Sequence, residues 1–209
     1  MKQFAKLLTI TTTAVLALAM SPDAAALDVE LDIDFRDGGA WGSSGRWQST
    51  DGVTVRSRGG RLYRDNRDGF GIRGGEHDEI DRHERLIVDF SRGYYENHGA
   101  ITAILITDLF DSPDGGSTGE SGWVRVFLTN GESFRLDFNQ QSDDPNGELL
   151  VQLGGAYEVA RFVFHASGMR GHEYSVAGFV SVPEPTTLAL FGSGLLLAGL
   201  ARRRRKTAG

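Results

Sequence analysis

Cysteine is absent from the 209 residues of this chain. Its absence excludes disulfide bonds, thiol catalysis, thioester chemistry and Cys-ligated zinc. A folded domain of this composition must therefore be held by its hydrophobic core, or by a metal ion that oxygen or nitrogen ligands bind.

Lysine is scarce, and none lies between Leu27 and Val182. That segment holds 15 arginines and 26 acidic residues, so its net charge is near −11, against −6 for the whole chain. A segment this acidic repels nucleic acid and anionic lipid, and we expect no nucleic-acid partner.

The N-terminus has the pattern of a secretory signal. Two lysines precede an uncharged stretch, residues 7–20, which is too short to span a bilayer. Small residues at Ala24–Ala26 then favour cleavage at their end. We therefore predict a signal peptide over residues 1–26 and a single exported domain over residues 27–182.

The C-terminus has three parts in order. Pro183, Glu184 and Pro185 force an extended segment, and 16 uncharged residues, 186–201, follow them. As a helix these residues rise about 24 Å, slightly less than a hydrocarbon core of about 30 Å. A basic cluster then ends the span and is expected to stay cytoplasmic. The cluster is Arg202, Arg203, Arg204 and Arg205.

This order of parts resembles the PEP-CTERM sorting signal of Gram-negative bacteria. The resemblance implies that an exosortase, a membrane-embedded cysteine peptidase, recognises residues 183–209 and removes them. It also implies an inner-membrane intermediate held by the C-terminal helix, and then a place at the cell surface or in the extracellular matrix. The other interpretation of the tail is an ordinary single-span anchor.

Between the two ends, apolar and polar residues alternate with a period of two, which indicates β-strands, and no segment has a convincing helical pattern. We expect an all-β fold, a single jelly-roll-like β-sandwich flanked by the signal peptide and the C-terminal transmembrane helix. Asn130-Gly131 predicts a hairpin with a type I′ turn. The predicted strands are 29–35, 52–57, 84–90, 101–109, 123–128, 133–138, 149–153, 157–165 and 174–180.

The most distinctive segment, residues 69–86, combines glycines with a run of acids. It resembles a pattern common in the cargo domains of PEP-CTERM proteins, a family with no firm biochemical activity. Five carboxylates within nine residues form a candidate calcium site, because oxygen ligands clustered in a loop suit Ca²⁺. The alternative is a set of solvated ion pairs with neighbouring arginines. The candidate ligands are Glu76, Asp78, Glu79, Asp81 and Glu84.

Other chemistries have weaker signals. The histidines are scattered, without the spacing of a zinc site, and we interpret them as surface residues. No Gly-x-Ser-x-Gly motif of a serine hydrolase occurs in the domain. A glycosidase needs two carboxylic acids, but the domain has so many acids that this match has little specificity. We therefore predict that the domain is not an enzyme.

Aromatic residues offer a further candidate function. Aromatic faces suit the apolar faces of sugar rings, so exposed rings would form a glycan-binding platform. The competing interpretation places these side chains in the sandwich core, and we expect Trp123 in particular to be buried. The residues concerned are Trp41, Trp47, Trp123, Tyr63, Tyr94 and Tyr95.

Together these patterns favour an exported, non-catalytic protein of the cell surface or exopolysaccharide matrix, which binds glycan or a neighbouring protein. Its partners would be an exosortase, the membrane before processing, and extracellular polysaccharide. No cofactor is expected other than Ca²⁺. Two alternatives stay open: a secreted polysaccharide-active enzyme, and an adhesin stabilised by Ca²⁺.

Overall fold

A computed structural model describes residues 30–37, 41–43, 45–74, 78–110, 119–139, 147–167 and 172–182. The predicted signal peptide and residues 183–209 lie outside this part of the chain, as does the predicted helix over 186–201. Within the described part, no helix has both the length and the apolar character needed to cross a membrane.

The described residues form thirteen strands and one helix. The strands are β1 (Ile33–Asp34), β2 (Trp41–Ser43), β3 (Arg46–Gln48), β4 (Val53–Arg58), β5 (Arg61–Asp65), β6 (Gly69–Arg73), β7 (Arg85–Phe90), β8 (Ala100–Thr107), β9 (Ser121–Leu128), β10 (Ser133–Asn139), β11 (Leu149–Tyr157), β12 (Val159–Ala166) and β13 (Ser175–Val182). The helix is α1 (Arg92–His98), between β7 and β8.

These strands make two antiparallel sheets, which confirms the predicted all-β class. The seven-stranded sheet has the order β11-β8-β13-β6-β5-β2, with β1 also paired to β13. The six-stranded sheet has the order β10-β9-β12-β7-β4-β3. From β6 onward the chain passes repeatedly from one sheet to the other, so neighbours within a sheet are seldom neighbours in sequence.

Aromatic rings join the two sheets. Phe162 of the six-stranded sheet stacks on Phe179 of the seven-stranded sheet, with ring centroids 5.1 Å apart. Phe90 meets the same Phe179 ring edge-on at 5.2 Å, and Trp47 meets Phe70 at 5.3 Å. Because rings of both sheets share this buried cluster, the inner faces of the sheets pack against each other and form the core.

The helix α1 corrects the expectation of a domain without helices. Its two buried tyrosines, Tyr94 and Tyr95, are adjacent in sequence and give no helical period. The Tyr94 hydroxyl bonds to the Ser181 hydroxyl at 2.7 Å, and Gly99, at φ 78°, ends the helix. Tertiary contacts and a glycine C-cap hold this short helix, rather than an amphipathic pattern.

The hairpin between β9 and β10 is confirmed, but its predicted type I′ turn is wrong. A type I′ turn needs positive φ at both central residues, and here only Gly131 has it, at φ 91°. Gly131 N–H donates to the Leu128 carbonyl at 3.1 Å, and Glu132 N–H donates to the Asn130 side chain at 3.0 Å. Strands β9 and β10 meet the loop at the predicted residues, Leu128 and Ser133, and the Asn130 side chain organises the backbone between them.

Candidate functional site

The predicted calcium ligands do not lie in one group. Asp78 accepts a hydrogen bond from Arg73 at 3.0 Å, an exposed ion pair. Asp81 and Glu84 instead close a tight turn, in which Asp81 N–H donates to the Glu84 carboxylate at 3.2 Å. Glu84 is 3% exposed, and burial raises its pKa to about 7.

Glu79 lies apart from that turn. It lines a cavity of about 60 Å³ together with Asp68, Asp78 and Asp108. Burial, with neighbouring acids, raises the pKa of Glu79 to about 9 and that of Asp108 to about 7. In the described part of the chain, no three His, Asp or Glu residues are arranged to hold a metal ion. Glu76 lies outside that part, so the calcium site stays a prediction.

One histidine differs from the expected surface position. His172 is 6% exposed. Its Nδ1 lies 2.9 Å from the Ser121 hydroxyl and 2.7 Å from the Ser167 hydroxyl. The interpretation as a surface residue is therefore wrong for His172, whose imidazole is satisfied within the protein.

The candidate aromatic residues divide between core and surface. Tyr94 and Tyr95 are buried, and Trp47 packs against the core. Tyr63 is half-buried beneath the Arg73 guanidinium, 4.0 Å from its ring centroid. The side chain of Trp41 lies outside the description.

Trp123 corrects a prediction, because it is half-buried on the outer face of the six-stranded sheet. Its neighbours in β9, Gly122 and Val124, are buried, so the alternation of the strand turns Trp123 outward. The ring stacks on His165, with centroids 3.9 Å apart and planes 14° apart. The Arg135 guanidinium lies 4.4 Å from the Trp123 ring centroid, within the range of a cation–π interaction.

An open groove of about 400 Å³ runs beside this stacked pair. Its lining comes from four neighbouring strands, β4, β7, β12 and β9, and combines apolar side chains with basic ones. The lining residues are Arg58, Arg85, Ile87, Trp123, Arg125, Phe127, Arg161, Val163 and His165.

Arginines dominate the outer surface of this sheet, which we call the arginine face. It carries seven arginines and two carboxylates, Asp89 and Asp137, although the segment as a whole is strongly acidic. The arginines are Arg46, Arg56, Arg58, Arg85, Arg125, Arg135 and Arg161.

The two carboxylates neutralise only part of this charge. Asp89 bridges Arg56 and Arg161, each with a nitrogen–oxygen distance of 2.5 Å. Asp137 pairs with Arg135. Among the described residues, none pairs with the other three groove arginines through a carboxylate, so their charge is uncompensated. These are Arg58, Arg85 and Arg125.

The strand register also places arginines directly opposite arginines. Cross-strand neighbours have Cβ atoms about 4.5–5.5 Å apart, and like charges in such positions are destabilising. Three such pairs occur on the arginine face. They are Arg46 with Arg56, Arg58 with Arg85, and Arg125 with Arg135.

The same positive field acts on His165. Burial, with the charges of Arg85, Arg135 and Arg125, lowers the pKa of its imidazole to about 4. His165 is therefore neutral at pH 7, and its ring stacks on Trp123 as an uncharged surface.

Sequence reasoning missed the arginine face, although a signal was present. In β4, Arg56 and Arg58 alternate with inward residues, and in β9 Trp123 and Arg125 alternate with Val124 and Val126. Net charge averages over the whole segment and hides such a segregated surface.

Comparison with known proteins bears on the C-terminus. The model of the PEP-CTERM protein-sorting motif matches residues 181–206. The chain carries a PEP-CTERM sorting motif. This motif implies export, processing by an exosortase, and a surface or extracellular location. No curated protein and no solved structure matches the chain.

The sorting motif begins within the folded domain. Its first two residues, Ser181 and Val182, are the last two of β13, a strand inside the seven-stranded sheet. Ser181 N–H donates to the Asp32 carboxylate at 2.5 Å, and its hydroxyl bonds to Tyr94. Pro183 follows this anchored strand directly, without a linker between the domain and the Pro-Glu-Pro segment.

Proposed function

We propose that this protein is a non-catalytic polysaccharide-binding module of the cell surface or extracellular matrix. Residues 1–26 direct export, the sorting motif directs the exosortase, and residues 27–182 remain as the mature domain. The observation that carries the binding function is the stacked Trp123–His165 pair in an open groove across four strands.

The groove has the chemistry that a sugar chain requires. Aromatic faces pack on the apolar faces of sugar rings, and arginine N–H groups donate to hydroxyl and ring oxygens. Ile87, Val163 and Phe127 supply apolar surface between the arginines. A groove open at the surface suits a chain longer than its binding site.

The groove lining favours binding over hydrolysis. A glycosidase places two carboxylic acids on either side of the bond that it cleaves. The nine residues that line the groove include no acid. Asp89 on the same face bridges Arg56 and Arg161 and does not line the groove.

The fold that we propose for the domain is a jelly-roll β-sandwich. A jelly roll places eight strands in two four-stranded sheets that the chain visits in turn. Strands β6 to β13 supply such a set, in the orders β11-β8-β13-β6 and β10-β9-β12-β7. The preceding strands, β1 to β5, extend both sheets.

The binding function is tested by Trp123→Ala in the full chain, purified in detergent. We expect the variant to lose most of its binding to exopolysaccharide from the producing organism, because a stacked ring contributes about 1 kcal/mol or more. Tyr63→Ala is the matched control, since it removes a half-buried outer-face aromatic from the other sheet. Equal binding by both variants and the unmodified chain would contradict the proposal.

A further inference from the structure

We infer that the ligand of the arginine face is an acidic polysaccharide, one whose sugar rings carry carboxylate or sulfate groups. This inference rests on the proposed function and narrows it to a chemical class of glycan. Three features of the arginine face support this inference. Some of its arginines have no carboxylate partner, the strand register places arginines opposite arginines, and aromatic surface lies between the charges.

The uncompensated arginines lie on both sides of the groove. Arg58 and Arg85 come from β4 and β7, and Arg125 comes from β9 on the far side of β12. The domain has 26 acids, yet none in the described part pairs with these three side chains. A charge left unpaired beside a groove is available to a ligand of opposite charge.

The register strengthens this argument. One row of side chains crosses all six strands and has two arginines at each end with two apolar residues between them. From β3 to β10 the row is Arg46, Arg56, Ile87, Val163, Arg125 and Arg135. In the free protein Asp89 offsets the charge of Arg56 and Asp137 that of Arg135, so one arginine of each pair keeps its charge, and an anion between the two guanidinium groups of a pair attracts it.

Arginine is also the side chain that suits the ligand class. Its planar guanidinium donates two parallel hydrogen bonds to a carboxylate or sulfate group. Hydrogen bonds from the same guanidinium to a neutral hydroxyl are weaker. The Trp123–His165 stack lies among these guanidinium groups and adds uncharged aromatic surface to the groove lining. An acidic polysaccharide carries both charged groups and apolar ring faces. The arginines of this sheet suit the charged groups, and its aromatic surface suits the rings.

Nucleic acid also combines negative charge with flat rings, so it is the competing ligand class. The charge of the rest of the domain disfavours the binding of nucleic acid. A duplex approaches a protein over a long, uniformly charged surface. The net charge of the segment is near −11, so the domain as a whole repels a polyanion while the arginine face attracts one. A single flexible polysaccharide chain follows the groove without contacting the acidic remainder.

The test compares matched polymers with the full chain in detergent. Polygalacturonate is set against its fully methyl-esterified form, and dextran sulfate against dextran, at low and high salt. We expect binding of at least one charged polymer to be about tenfold tighter than that of its neutral partner, since two charge-assisted hydrogen bonds suffice for that factor. High salt should weaken it. Arg85→Gln and Arg125→Gln should each reduce it about tenfold, whereas Arg92→Gln, in α1 away from the groove, should not.

The outcomes separate the two proposals. Equal binding of charged and neutral polymers would overturn the inference and leave the proposed function standing. Absence of binding to every polysaccharide, including the exopolysaccharide of the producing organism, would contradict both. Tighter binding of duplex DNA than of any acidic polysaccharide would overturn the ligand class. The thermal midpoint of Arg85→Gln, expected at or above that of the unmodified chain, shows that a loss of binding is not a loss of folding.

Discussion

Arg58 and Arg85 lie directly opposite each other on the neighbouring antiparallel strands β4 and β7, and both side chains line the groove. Opposed like charges reduce stability, so a protein under selection for folding alone would replace one of them. Under the proposed function, the pair is a feature that serves the ligand and that the free protein tolerates.

Removing this repulsion should stabilise the free domain. We predict that Arg85→Gln raises the free energy of unfolding by up to about 1 kcal/mol at low salt, because it leaves Arg58 without a like-charged neighbour. Salt should shrink the gain, since both side chains are exposed. The measurement is denaturant unfolding at two salt concentrations.

Arg161→Gln is the matched control for this variant. Arg161 also lines the groove, but it pairs with Asp89 at 2.5 Å, so its loss should leave stability unchanged or lower it. A destabilised Arg85→Gln variant beside an unaffected Arg161→Gln variant would contradict the idea that Arg58 and Arg85 repel each other.

Stability should fall as pH rises through neutrality. Burial raises the pKa of Glu84, Asp108 and Glu120 to about 7, and that of Glu79 to about 9. Above about pH 4.5 the unfolded chain releases these protons while the folded protein keeps them, so each group costs about 1.4 kcal/mol of stability per pH unit until its folded pKa is reached. His165, whose pKa is lowered to about 4, has the opposite effect and adds stability as pH rises to 6.5. Its single contribution is outweighed by those of the four acids.

Thermal unfolding across pH 5 to 9 checks this prediction. Between pH 7 and 9 the slope belongs mainly to Glu79, so Glu79→Gln should flatten that part of the curve. A midpoint that rises with pH over the whole range would contradict the burial of protonated acids.

Calcium can be tested under the same conditions. If residues 76–84 bind Ca²⁺, the ion should raise the thermal midpoint most at pH 8 or above, because Glu84 has a pKa of about 7 and Glu79 one of about 9, and Ca²⁺ binds their ionised forms. Addition of EDTA should reverse the gain. An unchanged midpoint with Ca²⁺ and with EDTA would contradict the predicted site, and magnesium at equal concentration controls for ionic strength.

The sequence predicted the sheets better than the site. Strands β4 and β7 to β13 lie where strands were predicted, and in β4, β9, β10 and β12 buried residues alternate with more exposed ones, as a period of two requires. Strands β2, β3, β5 and β6 were missed. The first two have three residues each, too few to show a period, and β6 is buried on both faces at Gly69–Ile72, so it shows no alternation. Trp123 was expected in the core, and only its neighbours in β9 decide that it points outward.

The arginine face could not have been derived from the sequence without the strand order. Arg58 and Arg85 are 27 positions apart in the chain, and their opposition depends on the pairing of β4 with β7. The stacking of Trp123 on His165 depends in the same way on the pairing of β9 with β12. The sorting motif, by contrast, is a local pattern in the chain and was recognised from residues alone.

The central claim is that the exosortase-sorted domain is what remains outside the cell, bound to the matrix. Its most direct test is the intact mass of the protein recovered from the matrix fraction of the producing organism. We predict a species that begins at Leu27 and ends near Pro183–Pro185. Alanine at residues 183–185 should leave the tail attached and the protein in the inner membrane. A matrix-bound species that retains residues 186–209 would contradict the account.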